Sequence, residues 1–265
     1  MKLRSTLLIL TLLWMVTACS LSSTPQKTPS PVTNTALPQT WTTTHPGVEY
    51  RTITVNNKFD MVVVRLDPAQ VYFRVHYYAG DPPDFSQWRT ELANAVVFVN
   101  GNFFDENNQA IGLVVSDGNQ YGYSLVDFGG MFEIDTNGMV RMRSLVQEPY
   151  QGEFLQQAVQ GFPMLVKVGG VRAPTGEGFD VPSRRTIIAQ DMQGRILLMS
   201  TGISGTISLN DLQVWLLGSD LEINVAFNLD GGRSTALVLT RPGQDPLFIP
   251  PASDLPIMLA VYAYQ

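Results

Sequence analysis

The sequence predicts an α+β fold, a single domain with one large mixed or antiparallel β-sheet and a few helices packed on it. Three observations carry that expectation. Short β-branched and aromatic runs recur along the chain and are broken by Asn, Asp, Gly and Pro. Residues 95–99 are apolar throughout, as a strand buried on both faces is. Helical spacing of apolar residues occurs in only two stretches.

The elements follow in order. Residues 51–55, 61–66 and 71–78 are the first expected strands, separated by Asn56-Asn57 and Asp67-Pro68. In the third, Val71, Phe73, Val75 and Tyr77 share one parity and form the core face, leaving Tyr72, Arg74 and His76 on the other. Residues 85–94 are expected to be helical, with Trp88 and Leu92 four apart. After the central strand 95–99, strands are expected near 113–116, 121–127, 131–134, 139–143, 164–168, 185–190, 196–200, 223–229, 235–240 and 256–264. Ser208 opens a capping-box-like Ser-x-x-Asp with Asp211. Leu209, Leu212 and Leu216 follow at helical spacing, and Gly218 is the stop. No internal repeat is visible.

The domain occupies residues 46–265 in this reading, behind two other segments. Residues 1–18 form a signal peptide. Lys2 and Arg4 are its basic start, and residues 7–16 are an apolar core too short to span a bilayer. Val16-Thr17-Ala18-Cys19 resembles a bacterial lipobox, and Cys19 is the only cysteine of the chain. That resemblance implies cleavage before Cys19 and lipidation of its sulfur; the alternative is a plain secretory signal. Residues 19–45 then read as a tether. Of residues 20–44, twelve are Ser or Thr, four are Pro, and Lys27 is the only charge. Such a segment cannot bury enough surface to fold and reaches roughly 75 Å when extended. The expected localisation is the envelope of a bacterial cell, the membrane being a partner through the lipid.

Composition narrows the function. A single cysteine rules out a disulfide scaffold and a Cys-based zinc site, and two histidines argue against a His-rich one. Loss of two of the 17 basic residues with the signal, against 23 acidic ones, moves the formal net charge from −6 to −8. An acidic chain excludes nucleic acid, whose binding rests on neutralising phosphates. His45 ends the tether and His76 lies on an outer strand face, so neither is assigned a catalytic role.

Four segments look unlike ordinary core. In Asn100-Gly101-Asn102-Phe103-Phe104-Asp105 a buried strand runs into amides around a glycine that lets backbone approach a ligand; a strand followed by an Asx turn is the plainer reading. Gln160-Gly161-Phe162-Pro163-Met164-Leu165 is a turn entering a strand. Arg184-Arg185-Thr186 opens an apolar strand with two forks suited to phosphate or carboxylate; a solvated surface charge at a strand end is the alternative. In Asn228-Leu229-Asp230-Gly231-Gly232-Arg233-Ser234-Thr235 an apolar strand ends in Asn and Asp before two glycines whose N–H groups can form an anion nest. The alternative there is an Asp-Gly hairpin joining strands 223–229 and 235–240.

Taken in order, these segments resemble the phosphodiester glycosidase family (N-acetylglucosamine-1-phosphodiester alpha-N-acetylglucosaminidase-like domains). The likeness spans about residues 96–239. Asn100 to Phe104 is similar to the family's Asn-Gly-Gly-(Phe/Tyr)-Phe, Gly161 to Leu165 to its Gly-Pro-x-Leu, Arg185-Thr186 to its Arg-Thr-Ala, and Asn228 to Ser234 to its Asn-Leu-Asp-Gly-Gly-Gly-Ser. Residues 205–209 are similar to a Gly-x-Thr-Leu segment before a helix. Asn102 and Arg233 stand where glycine is usual, and Phe162 separates the glycine–proline pair.

The resemblance implies a glycoside hydrolase that cleaves between a sugar's anomeric carbon and a phosphodiester phosphate, giving sugar and phosphomonoester. Asp230 is then the carboxylate that activates water or stabilises the sugar cation, and Arg185 grips the phosphate. Gly231, Gly232 and Ser234 present donors to the phosphate, with Asn228, Arg233 and Thr235 beside them. Asn100 and Asn102 bind sugar hydroxyls or fix Asp230, and Asp105 is the candidate second carboxylate. No cofactor is expected. Asp105 and Asp230 have the oxygen chemistry for Ca²⁺, but no EF-hand-like spacing supports such a site. The partner is a glycan or sugar-phosphate substrate. Two other readings are a non-catalytic lipoprotein that binds phosphorylated envelope glycans and a structural lipoprotein whose motifs serve the fold alone.

Overall fold

The computed structural model describes residues 40–264. The signal peptide, Cys19 and the tether up to residue 39 lie outside the described residues. In chain order the elements are β1 (Thr42–His45), β2 (Val48–Val55), β3 (Phe59–Leu66), β4 (Val71–Tyr77), α1 (Phe85–Glu91), β5 (Val97–Asn100), β6 (Val114–Ser116), β7 (Asn119–Tyr121), β8 (Gly130–Asp135), β9 (Val140–Ser144), β10 (Leu155–Gly161), β11 (Met164–Lys167), β12 (Val171–Arg172), β13 (Thr186–Asp191), β14 (Ile196–Thr201), α2 (Leu209–Gly218), β15 (Ile223–Asn228), a 3-10 turn (Gly232–Ser234), β16 (Leu237–Leu239), β17 (Leu247–Ile249) and β18 (Ile257–Ala263).

The protein is mostly β, and α+β fits it only roughly. Instead of one large mixed sheet there are three antiparallel ones. The first runs β1-β2-β3-β14-β13-β15-β11-β12, the second β7-β6-β10-β8-β9 and the third β17-β16-β5-β18-β4. The physical reason is twist: an open sheet of more than about ten strands curls or splits. The shared core includes Phe73 and Val99 from the third sheet, Phe132 and Val159 from the second, and Ile188 and Phe227 from the first. The core parity expected for 71–77 is the one observed, with Val71, Phe73 and Val75 buried.

Each α-helix covers a different sheet. Ser208 caps α2 by accepting from the Asp211 N–H, and Leu209, Leu212, Trp215 and Leu216 pack on Ile187, Leu197 and Met199 of the first sheet. Asp84 caps α1 through a full capping box, and Trp88 packs on Phe98, Met258 and Ala260 of the third. The Trp88 indole also donates to the Leu255 carbonyl at 2.8 Å.

Four expectations need correcting. The tether does not extend to residue 45, because β1 pairs with β2 and Trp41 lies between two guanidiniums, 4.5 Å from Arg51 and 3.9 Å from Arg65. Cation–π contact and a strand partner outweigh the Thr-rich composition. A strand over 121–127 is replaced by β7 and a loop, where Gly122, Asp127 and Gly129 have positive φ. Strand β10 escaped sequence reasoning because Gln157 and Gln160 interrupt its apolar pattern; both are buried and hydrogen-bonded. Finally, 223–229 and 235–240 do not form a hairpin. Strand β15 pairs with β13 and β11, whereas β16 pairs with β5 and β17, so the chain crosses from the first sheet to the third between them.

Candidate active site

That crossing is where the four segments meet. Strand β15 delivers Asn228, β13 begins at Thr186 beside it, β5 ends at Asn100, and the β10–β11 junction supplies Phe162-Pro163. The ladder between β15 and β13 continues past the strand end, with Leu229 N–H donating to Thr186 at 2.9 Å and Gly232 N–H to the Arg184 carbonyl at 2.8 Å. Asp230 is gripped from the third sheet. Its N–H donates to the Gly101 carbonyl at 3.1 Å, and its carbonyl accepts from Asn100 Nδ2 at 2.7 Å.

Asn100 is the hub of this arrangement. It is 1% exposed, and its Oδ1 accepts from Thr186 Oγ1 at 2.6 Å and from Ala236 N–H at 3.0 Å. All its polar capacity goes into joining β5, β13 and the Asp230 loop, so it fixes Asp230 and does not reach a sugar hydroxyl. Thr186, which sequence reasoning passed over, is its essential partner. The only sequence signal for Thr186 is its place after Arg185 in the third segment.

The carboxylate of Asp230 is partly open. Its Oδ1 accepts from Gly231 N–H at 2.8 Å, and the Ser234 side chain bonds to it as well. Burial pushes its pKa above the ordinary Asp value, while the bonds from Ser234 and Gly231 pull in the opposite direction. Burial of this kind is one way a protein raises a carboxyl's proton affinity.

The glycines serve geometry more than ligand. At Gly231 a Cβ would come within 2.6 Å of the Arg184 carbonyl oxygen. At Gly101 it would come within 2.2 Å of Ile257 Cγ2, so the space expected for a ligand is filled by a core side chain. The expected anion nest is corrected in the same way. Gly231 N–H goes to Asp230, Gly232 N–H to Arg184, and Ser234 N–H to the Gly231 carbonyl at 3.0 Å. A tight 3-10 turn turns these donors inward.

The arginines are the groups with donors to spare. Arg185 donates from Nε to the Ile207 carbonyl at 3.1 Å and from Nη2 to Val181 at 2.8 Å. Arg184 donates from Nη2 to Thr235 at 2.9 Å and Pro250 at 3.1 Å. Burial lowers both pKa values, and among the described ion pairs neither has a carboxylate partner. Arg233 is exposed and donates to the Ala252 carbonyl. Ser234 and Thr235 are buried.

Asp105, the candidate second carboxylate, sits in a turn after β5. Its Oδ1 accepts from Asn107 N–H at 2.9 Å and Gln109 N–H at 2.8 Å, closing its own turn. His76 is bonded to the Tyr262 hydroxyl at 3.0 Å, and burial lowers its pKa. Asn102 and Asn228 are buried beside the loop. Asn102 Nδ2 donates to Ile111 at 3.2 Å and Asn228 Nδ2 to Phe162 at 3.3 Å, and the Oδ1 of each has no partner. Gln160 is a further residue that sequence reasoning missed. It is wholly buried and holds the loop after β7, accepting from Leu125 N–H at 3.0 Å and donating to Phe128 at 2.9 Å.

A β-sheet protein whose strand ends converge on one tuned carboxylate and two arginines has the parts of a hydrolase acting on an anionic substrate. Comparison gives the family: the phosphodiester glycosidase model matches residues 93–261, and the chain belongs to that family. No curated protein matches it in sequence. Among solved structures it is similar to the zebrafish N-acetylglucosamine-1-phosphodiester alpha-N-acetylglucosaminidase catalytic domain, auto-inhibited by its pro-peptide, with a TM-score of 0.60, 18% identity and 82% of each chain covered. A protein from Synechocystis gives a TM-score of 0.61 at 15% identity over 82% of this chain and 62% of that one. One from Burkholderia pseudomallei K96243 gives 0.57 at 13% identity over 81% and 74%. These likenesses are of fold.

Proposed function

We propose that this protein hydrolyses the bond between a sugar's anomeric carbon and the phosphate of a diester. The observation that supports this best is Asp230, a carboxyl raised by burial and fixed through its backbone by Asn100 and Gly101. In the reaction, water attacks the anomeric carbon and gives its proton to Asp230. The bond from that carbon to the phosphate oxygen breaks, and its electron pair leaves with the phosphomonoester. The transition state is oxocarbenium-like. A phosphate leaving group, whose second pKa is about 6, departs without a strong acid. One carboxylate therefore suffices, in keeping with Asp105 being engaged in its own turn. Arg185, already oriented by Val181 and Ile207, meets the phosphate with its remaining N–H groups.

We further infer export and membrane anchoring in a bacterial envelope through a lipid on Cys19. The support is the basic start, the short apolar run and the placing of the one cysteine. Mass spectrometry of the mature N-terminus checks it: acylated Cys19 is expected, and an unmodified N-terminus elsewhere overturns it. The second reading, a non-catalytic glycan-phosphate binder, is favoured by one observation, the inward-turned N–H groups of Gly231, Gly232 and Ser234.

The test uses protein from Thr40 onward, so that Trp41 is kept, and a methyl-phospho-N-acetylglucosamine diester followed by NMR. Free sugar and methyl phosphate are expected, with turnover reduced about 10²–10⁴-fold in Asp230→Asn. Sugar-1-phosphate and methanol would mean cleavage of the other ester bond. Binding without turnover would establish the second reading.

A further inference from the structure

Where this chain departs from the family pattern, two of the departures fall together. Phe162, which separates Gly161 from Pro163, stacks on Phe103 with ring centroids 4.2 Å apart and planes 19° apart. Asn102, where glycine is usual, precedes Phe103. Phe128 joins the pair, 5.0 Å from Phe162, and is 47% exposed. Phe103 and Phe162 are half-buried.

This aromatic group lies against the strand that leads to Asp230. Asn228 donates from its N–H to Pro163 at 3.0 Å and from Nδ2 to Phe162 at 3.3 Å. Gly101, two residues before Phe103, accepts from the Asp230 N–H at 3.1 Å. The other side of Asp230 belongs to the arginines: a Cβ on Gly231 would lie 2.6 Å from the Arg184 carbonyl oxygen and 3.7 Å from Arg185 Cα. Along the loop, the ring-bearing segments lie before the carboxylate and the backbone of Arg184 and Arg185 after it. A phosphate taken by Arg185 leaves the ring side for the sugar attached to it.

A second observation points to the same ligand. Asn102 is 1% exposed and Asn228 2%, and the Oδ1 of each lacks a partner. A buried amide oxygen without a partner is costly, and such an atom persists where a ligand supplies the donor. An aromatic pair with unpartnered amide oxygens on the neighbouring Asn102 and Asn228 has the chemistry that takes a pyranose, C–H face on a ring and O–H groups on the amides.

We propose that Phe162, with Phe103 and the amides of Asn102 and Asn228, forms the subsite for the sugar ring that is released, and that it selects a neutral pyranose with one apolar face. This rests on the reading of Asp230 and Arg185 given above. Phe162 sets specificity; it takes no part in proton transfer.

The test replaces Phe162 by Leu, which keeps apolar bulk and removes the ring face, and by Tyr, which restores it. Steady-state kinetics on the methyl-phospho-N-acetylglucosamine diester are read beside saturation-transfer NMR of free N-acetylglucosamine and titration with methyl phosphate. In Phe162→Leu, KM is expected to rise about five- to tenfold with kcat little changed, and saturation transfer from protein to sugar is expected to fade. Methyl phosphate affinity stays at the wild-type level, which also reports a folded site, and Phe162→Tyr returns KM to within about twofold. An unchanged KM and unchanged sugar signal in Phe162→Leu would overturn the subsite. So would equal weakening of methyl phosphate and sugar in both variants. If the wild type binds the sugar but does not turn over diester, and Phe162→Leu loses that binding, the subsite stands and the hydrolytic reading falls.

Discussion

The floor of the site and its rim are built on opposite plans. In the floor, Asn100, Thr186, Gly101 and the backbone of Asp230 spend their donors and acceptors on one another and are buried or nearly so. At the rim, Phe128 is 47% exposed, Val126 69% and Tyr123 66%, and the loop that carries them is fastened by one internal side chain, Gln160. The floor is polar yet dry; the rim is apolar yet wet. That inversion shows that polarity in a motif does not mean contact with substrate. Asn100, singled out for chemistry, spends its amide on Thr186, Ala236 and Asp230 and has nothing left for a ligand.

The comparison is broken most easily in the floor. Asn100→Ala strands the Asp230 carbonyl, the Thr186 hydroxyl and the Ala236 N–H, and is expected to cost about 3–5 kcal/mol with loss of activity. Thermal unfolding checks it; a near-wild-type Tm would show that the floor is not held this way. Gly101→Ala drives a methyl into Ile257 and is expected to cost about 1–3 kcal/mol. Paired with Ile257→Ala it should destabilise by less than the sum of the two singles, because the new methyl occupies vacated space.

Asp230→Asn sharpens the comparison, because activity and stability should move apart. Burial raises the Asp230 pKa, so the folded chain binds this proton more tightly than the unfolded one. That contribution to stability is fully present below about pH 4 and is lost as pH rises through the folded value. At pH 7 the charged carboxylate therefore destabilises, and Asn should raise stability there. Denaturant unfolding at pH 7 and near pH 3.5 should show the gain at the first and not at the second. Asp105→Asn is the smallest change. An amide oxygen accepts the same two N–H bonds, so stability should stay within about 0.5 kcal/mol, with kcat unaltered. A collapse in kcat would make Asp105 the second carboxylate.

Much of this frame was legible in sequence for specific reasons. The parity of Val71, Phe73 and Val75 identified a one-sided strand, and Ser208 with Asp211 marked the start of a helix. The four polar segments were recognisable as a set, and the fold does bring Asn100, Phe162, Arg185 and Asp230 to one end of the sheets. What could not be read was where each donor goes. Two adjacent glycines after Asp230 look like an open nest, but a 3-10 turn spends their N–H groups internally. Gly101 looked like room for a ligand because a sequence does not show Ile257 arriving from 156 residues away. Gln157 and Gln160 hid β10 because their partners, on β4, at either end of β6 and on the loop after β7, are remote in the chain.

The order of the third sheet bears on timing. Strand β18 lies between β5 and β4, pairing Met258 with Asn100 on one side and Ile257 with Tyr77 on the other. A growing chain that has not yet reached residue 257 has β16 and the side-chain partners of the hub asparagine but lacks the strand that flanks β5 on its other side. Until then β4 and β5 are unjoined edges, and closing them brings together segments from near the two ends of the domain, a slow class of encounter. Completion of the third sheet thus waits for residues 257–263, and a chain arrested short of them leaves β4 without its strand partner.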